Sequence, residues 1–98
     1  MPGIKEKRSY PGRSAKDCYQ ASLQALSQTG YKIIRKRDYG WFVIASRMVS
    51  GQEVTCNILA SLGESASLDI NISARGLAVD ALEIYAQELF DHIQSILG

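Results

Sequence analysis

The stretch Gly76–Gly98, GLAVDALEIYAQELFDHIQSILG, decides the fold. Leu82, Ala86, Leu89, Ile93 and Ile96 recur at alternating gaps of four and three. That spacing stacks them on one face of an α-helix. Val79, Tyr85, Phe90 and Leu97 widen the stripe, while Asp80, Glu83, Gln87, Glu88, Asp91 and Gln94 face away. At about 1.5 Å per residue the helix is about 30 Å long, the width of a small domain. An apolar face this broad must lie on a sheet or on another helix.

The stretch just before it supplies the sheet. Leu68–Ala74 alternates, with Leu68, Ile70, Ile72 and Ala74 inward and Asp69, Asn71 and Ser73 outward. Glu53–Leu62 alternates in the same way: Val54, Cys56, Ile58, Ala60 and Leu62 on one face, Glu53, Thr55, Asn57 and Ser61 on the other. Gly63-Glu64-Ser65 turns the chain between these two strands. Ser50-Gly51-Gln52 turns it between Glu53–Leu62 and an aromatic, β-branched strand at Trp41–Met48. Asp38-Tyr39-Gly40 is a hairpin-length break after the short basic strand Tyr31–Arg37. Short turns between consecutive strands imply an antiparallel meander.

Further upstream, Ser14 is the N-cap of a first helix, with Asp17 three residues on, and Gly30 is its stop. Its stripe (Ala15, Cys18, Tyr19, Ser22, Leu23, Ala25, Leu26) is rich in small residues that allow close approach to a sheet. Residues 1–13 read as a basic N-terminal arm and residues 14–98 as a single domain. The predicted class is α+β: a two-layer sandwich in the order α-β-β-β-β-α. Its four-stranded antiparallel meander carries both helices on one face.

A leading helix, a Gly-Tyr-x-Ile entry into a first strand (Gly30, Tyr31, Ile33), an antiparallel meander and a long closing helix resemble the helix-grip arrangement. In particular they resemble domains of small bacterial envelope lipoproteins of the BamC-like group. The likeness spans residues 14–97 and is one of element order and hydrophobic spacing. It implies a non-enzymatic scaffolding or interaction module and transfers no site residues.

A chain of 98 residues, 46% hydrophobic and 21% charged, has the composition of one globular domain with one modest core. No apolar run approaches the roughly 18 residues of a spanning helix. The N-terminal MPGIKEKRSYPGR has no apolar core of a signal peptide. Cys18 and Cys56 lie within apolar patterns and read as buried free thiols. These features together predict a cytoplasmic location.

Net charge is +1, but its distribution is uneven: residues 1–50 hold ten of the eleven basic residues against three acids, and residues 51–98 hold one against seven. Such asymmetry suggests an anionic partner for one end or self-association through opposite charges. The run Lys32–Arg37 is the candidate anion site, with Lys32 and Lys36 on one strand face and Arg35 and Arg37 on the other. Arg13, Lys5, Lys7 and Arg8 of the arm are expected to join it. Tyr31, Tyr39, Trp41 and Phe42 lie beside it, and cations interleaved with rings suit single-stranded nucleic acid. The competing reading is a solvated edge strand whose charges block aggregation.

Trp41 and Phe42 point to opposite faces of a regular strand, so one of them, with Leu59, lies on the face without helices. Tyr39, Trp41 and Phe42 are therefore the candidate interface. His92 has no second histidine and no nearby cysteine in sequence to make a metal site. No catalytic constellation or cofactor motif is present, and no cofactor is expected. The sequence predicts a non-enzymatic interaction or scaffolding domain, self-associating or binding a protein partner through its sheet. The alternatives are nucleic-acid or other polyanion binding by the basic half, and apolar small-molecule binding between the long helix and the sheet.

Overall fold

In the computed structural model, which describes residues 3–98, five strands and two helices follow one another as β1 (Gly3–Tyr10), α1 (Ala15–Gln28), β2 (Lys32–Arg37), β3 (Phe42–Val49), β4 (Gln52–Leu62), β5 (Ala66–Ala74) and α2 (Val79–Leu97). The strands form one sheet in the order β1-β5-β4-β3-β2, and every neighbouring pair is antiparallel. The α+β class and the meander from β2 to β5 stand as expected.

The strand count does not. Gly3–Tyr10, read as part of an arm, is a fifth strand paired with β5 from Gly3↔Ser73 to Tyr10↔Ala66. Its inward positions are Ile4, Glu6, Arg8 and Tyr10, which pair with Ile72, Ile70, Leu68 and Ala66. Two of the four are charged, so alternation is weak in the sequence. The strand lies at the margin of the helix layer, where an amphipathic side chain serves as well as an aliphatic one. Arg8 sits 4.5 Å over the Phe90 ring of α2 and pairs with Glu6 at 3.2 Å.

Both helices pack on the face built from alternate residues of the central strands. Val43 and Ala45 of β3, Val54, Cys56, Ile58 and Ala60 of β4, and Leu68, Ile70 and Ile72 of β5 are all buried there. Leu82, Leu89 and Ile93 of α2 meet them with no exposed surface. The small stripe of α1 brings Cys18, Ala21 and Ala25 close to the sheet, and Ser22, fully buried among them, donates its hydroxyl to the Cys18 carbonyl at 2.8 Å.

Local chemistry sets the helix ends. Ser14 Oγ accepts from the Asp17 amide at 3.0 Å, and Gly30 turns the chain at φ 87°. α2 begins three residues after Gly76, with Ala78 in the cap position and no side-chain cap. Among the described residues no helix is long and apolar enough to cross a membrane.

Candidate functional site

Residues directly opposite in an antiparallel ladder share a face. The registers therefore define what lies on the face that neither helix covers. One row across the sheet is Lys7, Asp69, Leu59, Phe42 and Arg37. The next is Lys5, Asn71, Asn57, Ile44 and Arg35, and the third is Gly3, Ser73, Thr55, Ser46 and Lys32. Phe42, Ile44 and Leu59 make an apolar centre on β3 and β4, with Leu59 42% exposed. Exposed Met48 extends it along β3. Polar β5 and β4 residues lie beside it, and cations stand on both outer strands.

The structure regroups the basic run. Between Ile33 and Arg35 the register of β2 against β3 shifts at a bulge. The extra residue puts Lys32, opposite Ser46, on the same face as Arg35 and Arg37, opposite Ile44 and Phe42. Lys36 alone falls on the helix side, opposite Val43, and pairs with Asp38 at 3.5 Å. Regular alternation would have separated Lys32 from the two arginines. The bulge corrects that expectation and lines three cations along the β2 edge of the open face, opposite Phe42, Ile44 and Ser46.

Arg13 is not with them. It donates to the carbonyls of Leu97 and Gly98 at the C-terminus of α2, where a cation complements the helix dipole. Lys5 and Lys7 lie on β1, at the opposite edge of the sheet from β2. Four inter-strand steps of about 4.8 Å separate the two edges by about 19 Å. The single patch expected from the arm and the basic run is therefore two cationic rims with the apolar centre between them.

The aromatic candidates also separate. Trp41 lies in the β2–β3 turn at φ 52°, half-buried against the core, and its carbonyl accepts from the Ala60 amide at 3.0 Å. Phe42 faces the open side. Tyr39 stands at the hairpin tip, 92% exposed. Neither Ile44 nor Asn57 is among the candidate contact residues the sequence points to, although alternation from Phe42 and Leu59 leads to both. The Asn57 Oδ1 atom is shielded from solvent and has no hydrogen-bond partner among the described residues.

On the other side of the sheet, Arg47 ties the helix layer to β3. Its guanidinium lies 5.0 Å from the Tyr31 ring and 4.7 Å from the Tyr85 ring, and pairs with Glu88 at 3.4 Å. It also donates to the Thr29 carbonyl. Burial raises the Tyr31 hydroxyl well above the usual tyrosine range. Cys18 and Cys56 are free and buried, and burial pushes the Cys56 thiol up to about 12, far from the thiolate a nucleophile needs. His92 Nδ1 lies 3.0 Å from Gln28 Oε1 and links the two helices.

The outer surface of α2 has the opposite sign to the sheet face. Asp80, Glu83, Glu88 and Asp91 lie along it, and the helix contains no lysine or arginine. Ile84, 68% exposed, stands among them. A shallow depression of about 400 Å³ runs past Ile84, Gln87, Glu88, Asp91 and His92.

No protein-family model matches this chain, and no curated protein matches it in sequence. Solved structures do resemble it. Protein CV1439 from Chromobacterium violaceum aligns over 96% of this chain and 95% of its own, with a TM-score of 0.57 and 12% identity. Ara h 8.0201 aligns over 98% and 97%, with a TM-score of 0.53 and 8% identity. Both neighbours have the Bet v1-like, helix-grip fold. At these identities the likeness shows the fold alone.

Proposed function

We propose that this chain is a non-enzymatic interaction domain that works through the open face of its sheet and self-associates there. The observation that carries the reading is the apolar centre of Phe42, Ile44 and Leu59 on a face that neither helix covers. Contiguous apolar surface on an otherwise polar sheet marks a contact site. The resemblance to BamC-like scaffolding domains supports the same class of function, and the proposed location is the cytoplasm. Light scattering of the full chain tests the reading. The expected mass exceeds the 10.8 kDa of one chain, and Phe42→Glu returns it to one chain. An unchanged mass in that variant would reject the open face as the contact.

A second reading, polyanion binding, is favoured by one specific feature: the bulge sets Lys32, Arg35 and Arg37 together on the open face, with Arg37 opposite Phe42. It predicts that a labelled single-stranded oligonucleotide binds with an affinity that falls steeply with salt and is lost in Arg35→Glu/Arg37→Glu. Apolar small-molecule binding has less support, because Leu82, Leu89 and Ile93 fill the space between α2 and the sheet with no exposed surface.

A further inference from the structure

The open face and the outer face of α2 are complementary in charge, and each carries an apolar group at its centre. The sheet face carries Lys5 and Lys7 on one edge strand and Lys32, Arg35 and Arg37 on the other, against Glu53 and Asp69. The outer face of α2 carries four carboxylates, no basic residue and one exposed aliphatic knob, Ile84. Among the described residues Asp80 and Glu83 have no ion-pair partner within their own chain.

A symmetric stack of two open faces does not suit these charges. In an aligned stack, a two-fold axis along the strands lays β1 over the partner's β2. An axis across them lays β1 over β1 and β2 over β2. Either arrangement sets cations against cations, which costs free energy in a contact that excludes water. The sheet already shows what it accepts. Its covered face holds an acidic amphipathic helix by an apolar stripe, with Arg47 gripping Glu88 and Arg8 lying over Phe90.

Resting on the open-face reading above, we infer that the occupant of that face is the outer surface of α2 from a second copy of this chain, so that self-association is head to tail. Ile84 of one copy enters the apolar centre at Phe42, Ile44 and Leu59 of the next. Asp80 and Glu83 meet the cationic rims. Each sheet is then covered on both faces by an acidic helix, one its own and one borrowed. Such a heterologous contact uses two different surfaces of each copy, so it grows into chains unless its rotation closes a ring.

The test uses the full chain and two exposed double variants, each checked for an unaltered circular dichroism spectrum. Leu59→Asp/Arg37→Glu disables the sheet face, and Glu83→Lys/Ile84→Lys disables the helix face. The parent is expected to gain mass with concentration at low salt, and to associate at least about tenfold more weakly in 0.5 M salt, where the Debye length is only a few ångströms. Each variant alone is expected to be monomeric. An equimolar mixture retains one intact sheet face and one intact helix face, and is expected to give a discrete dimer that grows no further.

A helix-face variant that assembles like the parent would overturn the head-to-tail contact and leave the sheet face as an interface. So would a mixture that stays monomeric beside an associating parent. A parent monomeric at every concentration would overturn it too, and binding of an oligonucleotide to the sheet face would then name the occupant. A sheet-face variant that assembles normally would instead remove the open-face reading itself.

Discussion

The two faces of this sheet are made by the same strands, yet they differ in what they hold. On β4, Val54, Cys56, Ile58 and Ala60 face the helices and are buried, while Thr55, Asn57, Leu59 and Ser61 alternate with them on the open side. The covered face is continuous aliphatic packing from β3 to β5. The open face is apolar only at its centre and cationic at both rims. Packing density constrains every side chain on the first, where even one methylene is felt. On the second, residue choice is free of that constraint, so a phenylalanine, an isoleucine and a half-exposed leucine held there point to a contact rather than to the fold.

Truncation at neighbouring positions is the strongest way to break this comparison. Ile58→Ala removes fully buried methylenes from the helix-covered face of β4 and is expected to cost about 2–5 kcal/mol in urea unfolding. Leu59→Ala, one residue on, is expected to cost less than about 1 kcal/mol and to weaken association instead. Equal losses at the two sites would mean that Leu59 is a structural residue and the open face is not available for a partner.

Alkaline pH sharpens the same contrast on a smaller scale. Burial raises the Cys56 thiol from 9.0 to about 12 and the Tyr10 hydroxyl from 10.0 to about 12. A raised pKa means that the folded state keeps its proton where the unfolded chain has lost it. The stability this confers is whole below pH 9 and is lost as pH climbs from about 9 towards 12. Cys56 alone is expected to remove about 1 kcal/mol by pH 10. Cys56→Ala should flatten that part of the profile in denaturant melts across pH. A profile that falls just as steeply in the variant would assign the loss to the buried tyrosines.

What was legible in the sequence follows this division between faces. β4, β5 and α2 sit at the middle of the core, where one side of each element must be apolar, and their periodicity reads directly. The strand β1 lies at the margin, where Glu6 and Arg8 occupy inward positions, and it read as an arm. The bulge at Ile34 left no mark because register belongs to the backbone ladder, not to the side-chain pattern, yet it decides which face Lys32 joins. Arg13 was placed by charge alone. Its role at the end of α2 depends on contacts 84 and 85 residues away in sequence. The members of the candidate face were thus mostly legible as residues, and their grouping was not.

The smallest expected effect tests what keeps the two faces distinct. β3 and β4 are joined by a two-residue turn, Ser50-Gly51, closed by the pair Val49↔Gln52, with φ values of 51° and 79°. Two positive φ angles fit the tight hairpin turn whose twist matches the strands, a turn that favours asparagine then glycine. Serine pays a steric penalty in that region that asparagine partly avoids. Ser50→Asn is therefore expected to stabilise the fold by about 0.5–1 kcal/mol, read as a small rise in melting temperature. Because this turn fixes the β3–β4 register, and a one-residue slip would exchange Leu59 for Ile58 on the open side, the variant should leave association unchanged. A gain in stability accompanied by altered association would mean that the parent hairpin samples a second register, and that the open face is one of two.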